Sequence, residues 1–184
     1  MPVWLIIIIV IVIFVLLWIM STYNSLVSLR NKVRDQLAQI DVTLKRRFDL
    51  IPNLVETVKG YAKHEKDTLE EVVKARNAYT TAETTEDQLK ADGELTRGIS
   101  KLFALAEQYP ELKANENFIN LQEELTATED KIQYARQFYN DEVMKYNNKI
   151  EMFPSNIIAN MFGFKRCDFF EASQEEKANV KVKF

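Results

Sequence analysis

Residues 118–153 read FINLQEELTATEDKIQYARQFYNDEVMKYNNKIEMF. Apolar side chains recur at Phe118, Leu121, Leu125, Ile132, Ala135, Tyr139, Val143, Tyr146, Ile150 and Phe153. Phe118, Leu125, Ile132, Tyr139, Tyr146 and Phe153 are spaced by seven throughout. That period puts them on one helix face and suits the face to packing along another helix. The stretch contains neither glycine nor proline, so it predicts one long helix that needs helical partners.

Those partners lie upstream. Leu26, Leu29, Val33, Leu37, Ile40, Leu44 and Phe48 follow a 3–4 spacing, which is one helical face. After Pro52 come Leu54, Val58, Tyr61, Leu69, Val72 and Tyr79, then a shorter pattern of Leu95, Ile99, Leu102, Phe103 and Ala106. Pro52, Pro110 and Pro154 fall at the edges of these patterns, as expected of a residue that lacks an amide donor and clashes with the preceding turn. The polar stretch Thr80–Asp92 (TTAETTEDQLKAD) reads as a loop or a frayed helix end. The expected fold is all-α, an antiparallel bundle of about four long helices of unequal length, with a bundle region at 23–153. Residues 154–184 form an apolar C-terminal segment and tail. In it NIIANMFGF (156–164) is apolar and NVKVKF (179–184) alternates like a short strand or extended tail.

The first twenty residues, MPVWLIIIIVIVIFVLLWIM, carry no charge. Val3 to Met20 would span about 27 Å as a helix, close to the ~30 Å of bilayer hydrocarbon. Trp4 and Trp18 lie near its ends, where indoles favour the interface. A cleaved signal peptide fits poorly, because no basic segment precedes the run and no small-residue cleavage site follows it. Residues 1–22 are therefore read as a transmembrane anchor. No glycine or proline lies between Val3 and Phe48, so the anchor is expected to continue unbroken into the first soluble helix. Ser21, Thr22, Asn24 and Ser25 are its weakest point. Arg30, Lys32 and Arg34 follow the span, which predicts a short N-terminus outside and the helical domain in the cytoplasm. The span has no small-xxx-small pair, so tight dimerisation through it is not indicated.

Charge and rare residues narrow the function. Residues 21–80 carry 11 Lys/Arg against 8 Asp/Glu, and residues 81–184 carry 13 against 19. This balance does not suit nucleic acid, which calls for a strong basic excess on one face. One cysteine, Cys167, and one histidine, His64, exclude an intramolecular disulfide and multi-ligand zinc or di-iron sites within the chain. Nucleotide-binding glycine loops and the G-x-S-x-G elbow are absent. The pairs Glu70-Glu71, Glu123-Glu124 and Glu175-Glu176 read as solvated helix faces. No cofactor is expected. Cys167 and His64 would have to meet across the fold to act together, and nothing local supports that.

Lys45, Arg46 and Arg47 invite two readings. As the last turn of the first helix they would complement its dipole, with Asp49 or Asn53 capping the next helix and Asn53 and Glu56 at capping-box spacing. As an anion or headgroup contact they are three charges only, about 38 Å along a helix from Met20, well outside screening range. The first reading is preferred.

Five stretches carry a family resemblance: YNSLVSLRNKV (23–33), QIDVTLKRRFDLIPNLVETVKGYAKHE (39–65), LFALAEQYPELKANENFINLQEELTATEDKI (102–132), ARQFYND (135–141) and FPSNIIANMFGFK (153–165). Together they resemble the LemA family of bacterial membrane-anchored proteins. The resemblance implies an N-terminal transmembrane helix, a short outside N-terminus and a cytoplasmic helical domain in the bacterial inner membrane. It implies no particular biochemical activity. The family's gene neighbourhoods suggest a membrane metalloprotease or a TPM-domain membrane protein as partner.

Phe153, Ile157, Ile158, Met161, Phe162 and Phe164, followed by Phe169 and Phe170, concentrate apolar surface in a short span. Either the span folds back and closes one end of the bundle, or it meets a partner or the membrane with Lys165 and Arg166 as interfacial basics. The functional expectation is a non-enzymatic, single-pass scaffold or adaptor that self-associates or recruits another membrane protein. The alternative is a lipid- or membrane-shape-binding protein using 153–170 and the basic residues of the first hairpin.

Overall fold

The computed structural model describes residues 2–82 and 85–170. They form α1 (Val3–Tyr61), α2 (Lys66–Thr81), α3 (Thr85–Ala106), α4 (Pro110–Lys113), α5 (Glu116–Glu151) and α6 (Ser155–Met161). The fold is all-α, and no strand occurs among the described residues. The tail NVKVKF (179–184) lies outside them. The chain divides into two compact units. Unit 1 takes residues 2–40 and 134–170, and unit 2 takes residues 41–133.

Unit 2 is built from the end of α1, α2, α3 and the start of α5, with α4 as a single-turn connection opened by Pro110. Its neighbouring helices run antiparallel. Phe48 and Tyr79 stack at 4.2 Å across α1 and α2, and Lys101 Nζ donates to Glu71 Oε1 (2.7 Å) across α3 and α2. Phe103 meets Phe118 edge-on, Asn115 just before α5 donates to Tyr61 OH of α1, and Arg46 of α1 pairs with Glu124 of α5. Ile51, Leu54, Val58, Leu69, Val72, Leu95, Leu102, Phe118 and Ile132 fill the core. At Gly98 α2 and α3 come close: a Cβ there would fall 2.9 Å from Val72 Cγ2.

Three expectations are corrected here. The first helix does not end before Pro52, which lies inside α1. A proline in a helix leaves the carbonyl four residues earlier without its donor. That carbonyl belongs to Phe48, and Arg76 Nε from α2 donates to it at 3.3 Å. Burial then decides the matter: Ile51, Leu54, Val55 and Val58 continue the stripe inside the core. At about 1.5–3 kcal/mol each they outweigh a proline cost of about 3 kcal/mol. The chain turns instead at 62–65, where Lys63 and His64 are exposed and no large apolar side chain extends the stripe. Asn53 and Glu56 consequently sit mid-helix, with Glu56 pairing with Lys59 rather than capping. Finally, the stretch 80–92 is mostly helical, since α2 runs to Thr81 and α3 starts at Thr85. The hydroxyls of Thr80 and Thr81 bond back to the Asn77 carbonyl (2.8 and 3.0 Å), so they extend the helix where free hydroxyls would compete with it.

Unit 1 contains the beginning of α1, the end of α5, α6 and the extended segment 164–170. As expected, α1 passes Ser21–Ser25 without a break. Residues 6–17 are exposed all round, and burial begins at Thr22 and continues at Leu26, Val33 and Ile40. From α5 the core receives Tyr139, Val143, Tyr146 and Ile150.

Candidate functional site

α5 stops at Glu151, just before Pro154 forces a new direction. The Ser155 hydroxyl closes this corner with its single proton shared between the carbonyls of Lys149 (2.7 Å) and Met152 (2.9 Å). α6 then divides its side chains: Ile158 and Ala159 enter the core, while Ile157 and Met161 point outward. Gly163 takes a left-handed φ of 69°, which lets the chain reverse so that the Phe164 amide caps Ala159 O at 2.9 Å. Phe164 turns into the core, with Arg30 Cζ over its ring at 5.2 Å.

The apolar cluster predicted at 153–164 is thus split. Ile158 and Phe164 are buried. Phe153 is 79% exposed, Ile157 55% and Phe162 51%, with Met152 and Met161 equally open. Phe162 lies against Tyr23 of α1, ring centroids 4.8 Å apart, and Tyr23 also contacts Phe164 at 5.8 Å. Lys165 is exposed, and Arg166 pairs with Glu151 at 3.0 Å. Phe153 occupies the last position of the seven-residue seam whose other members are all buried.

Beyond Phe164 the chain runs back along α5, held by a device that sequence reasoning missed. Asn147 Nδ2 donates to Cys167 O (2.8 Å), and Cys167 N donates to Asn147 Oδ1 (3.0 Å). Asn140 makes the same reciprocal pair with Phe170 (2.9 and 2.8 Å). Tyr139 OH adds a bond to Asp168 O at 3.0 Å, and its ring meets Phe170 edge-on. An asparagine side chain can present one of its two N–H donors and its carbonyl acceptor in the spacing of a peptide group, so each asparagine extends the segment's hydrogen bonding as a neighbouring strand would. The available signal was the dipeptide Tyr-Asn, repeated one heptad apart at 139–140 and 146–147.

In unit 2 the basic triplet lies in the helix interior and not at its end, so the end-of-helix dipole argument does not apply. Each member meets a carboxylate. Lys45 pairs with Asp49 at 3.0 Å and Arg46 with Glu124. Arg47 is fully buried and pairs with Asp92 and Glu129, and its Nη1 donates to Thr96 Oγ1 at 3.1 Å.

Titratable groups elsewhere have local partners. Burial pushes the Cys167 thiol upward, assisted by Asp168 and opposed by Arg34, which disfavours the reactive thiolate. Tyr109 is also raised, by burial and by its 3.1 Å bond to Glu65. His64 is exposed in the α1–α2 turn of unit 2, and Cys167 belongs to unit 1. An open groove of about 610 Å³ on α2 and α3 is lined by Asp67, Glu70, Glu71, Lys74, Glu94 and Arg97, both signs intermixed. No cluster of three or more metal-binding side chains occurs among the described residues.

The LemA family model matches residues 36–184. Curated relatives include magnetosome protein MamQ 2 of Paramagnetospirillum magneticum, 25% identical over 179 aligned positions covering 83% of this chain and 66% of the relative. Protein LemA of Metamycoplasma hominis is 27% identical over 160 positions, covering 85% and 72%. Magnetosome protein MamQ of Magnetospirillum gryphiswaldense is 24% identical over 178 positions, covering 83% and 65%. The chain therefore spans about two thirds of the length of the magnetosome relatives it matches.

Proposed function

The chain belongs to the LemA family, and on that premise we propose that it is a non-enzymatic, single-pass membrane-anchored helical scaffold. α1 carries this reading. Its first part is long and apolar enough to cross a membrane and is uncovered by the described residues, while its last part supplies buried residues to the unit 2 bundle. An uncovered apolar helix of that length needs hydrocarbon around it. One element therefore serves as both anchor and bundle wall. The scaffold either self-associates or recruits another membrane protein, of which a membrane metalloprotease and a TPM-domain protein are the classes in view. Tyr134 and Phe138, exposed one turn apart on α5, offer an aromatic contact of the kind enriched at interfaces.

In the same reading the bundle faces the cytoplasm of a bacterial inner membrane, because Arg30, Lys32 and Arg34 follow the span. Light scattering of full-length protein in mild detergent, with the detergent contribution subtracted, tests the scaffold. A discrete oligomer, or a crosslinked partner captured at position 138 in cells, is expected. A strict monomer with no crosslinked partner refutes it. Labelling of single cysteines in unit 2 from one side of sealed membranes tests the orientation.

A further inference from the structure

We propose that the outer face of the α5–α6 corner, formed by Met152, Phe153, Ile157, Met161 and Phe162, lies in the interfacial layer of the same bilayer that α1 crosses. The inference rests on the anchor reading and adds a second membrane contact to it.

Burial of α1 ends going toward the N-terminus at Thr22, and residues 6–17 are exposed. Phe162 packs on Tyr23 at 4.8 Å, so it is held at the level of Tyr23. Tyr23 is three residues past Met20, about 4.5 Å along a helix. The layer between hydrocarbon and water is about 5–7 Å thick on each side, taking ~30 Å from a total of ~40–45 Å. A ring fixed to Tyr23 therefore falls within that layer. Phe162 thus sits within one helical turn of the end of the apolar span, which favours lipid over a distant partner.

Its composition agrees. The exposed positions are phenylalanine, isoleucine and methionine within eleven residues of one another, a concentration of apolar surface of the kind that marks a contact. Lys165 is exposed beside it, while Arg166 is occupied by Glu151. With so little net positive charge the contact is driven by apolar burial, so it is insensitive to salt and does not require anionic lipid. The two asparagines hold the chain after Phe164 to α5, which keeps the reversal at Gly163, and with it α6, in place.

The test uses full-length protein reconstituted in zwitterionic vesicles. Cys167→Ser removes the native thiol, and a polarity-sensitive fluorophore is attached in turn at Phe153→Cys, Ile157→Cys, Ile11→Cys and Val42→Cys. Val42 is exposed in unit 2 and Ile11 lies mid-span. Circular dichroism verifies the helical fold of each. Labels at 153 and 157 are expected to emit at shorter wavelength than the label at 42. They should lose emission to quenchers placed shallowly in the lipid, at low and high salt alike, while the label at 11 responds to deep quenchers. Water-like, unquenched emission at 153 and 157 with position 11 quenched overturns this inference alone. Unquenched emission at position 11 overturns the anchor reading as well. A blue shift at 153 and 157 without lipid quenching means that protein, and not lipid, covers the patch, and also overturns it.

Discussion

Unit 2 buries a guanidinium completely, and unit 1 leaves phenyl rings in the open. Both invert the usual distribution of polar and apolar groups, but for opposite reasons. Arg47 is removed from water together with Asp92, and the half-buried Glu129 and Thr96 complete the contacts of its two Nη atoms. The desolvation penalty of several kcal/mol per ion is offset inside the unit itself. Phe153, Ile157, Met161 and Phe162 stay more than half exposed among the described residues. Unit 2 is thus closed, its unusual group answered from within, and unit 1 is open, its unusual surface awaiting something from outside. A charged residue can therefore be purely structural here while the apolar ones carry the interaction.

The largest effect should come from breaking the closed network. Arg47→Met leaves the buried Asp92 carboxylate without its counter-ion and should cost about 3–5 kcal/mol in urea unfolding of the detergent-solubilised chain. Replacing Asp92 and Glu129 by leucine in the same chain should recover much of that loss. If Arg47→Met alone is neutral, unit 2 is not closed in the sense argued.

Next comes the proline. Arg76→Met strands the Phe48 carbonyl and should cost about 1–3 kcal/mol. In a Pro52→Ala background, where residue 52 regains its amide, the cost should shrink by roughly 1 kcal/mol. Strict additivity would mean that Arg76 does not substitute for the missing donor.

In unit 1, Asn147→Ala should cost about 1 kcal/mol and speed amide exchange at Cys167 by loosening its hold. Alkylation reports the same clip. The folded thiol holds its proton above its usual range because of burial, so at a pH near that range it should react several-fold more slowly than in unfolded protein. The gap should narrow as pH rises past the folded value, and Asn147→Ala should narrow it at every pH.

The smallest effect on stability belongs to Phe153→Ser, expected within about 0.5 kcal/mol because the ring is already in the open. Phe118→Ala, at the other end of the same seam, should cost about 3–5 kcal/mol. Equal costs would erase the distinction between the units.

Much of the fold was legible because helix formation leaves a period in the sequence. The seven-residue seam from Phe118 to Tyr146 is buried throughout. The run from Leu26 to Phe48 predicted α1, and its continuity with the apolar anchor followed from the absence of glycine and proline. What escaped depends on groups distant in sequence. The donor that lets α1 pass Pro52 comes from Arg76, and no local rule supplies it. Arg47 read as one of three helix-end cations because its acidic partners lie 45 and 82 residues away. The candidate surface was legible as a cluster but not as a division. Which of Ile157 and Ile158 faces out depends on the phase of α6, which Pro154 and Ser155 reset at the corner.

The asparagine clip has a consequence of its own. Asn140 and Asn147 bind peptide groups, and a peptide group is the same whatever side chain it carries. The path of segment 164–170 is therefore largely decoupled from the identity of its exposed residues. Lys165, Arg166 and Phe169 can be exchanged over evolutionary time, altering charge or apolar character beside the corner, while the backbone keeps its course. The arrangement separates what is conserved in shape from what is free to drift in chemistry.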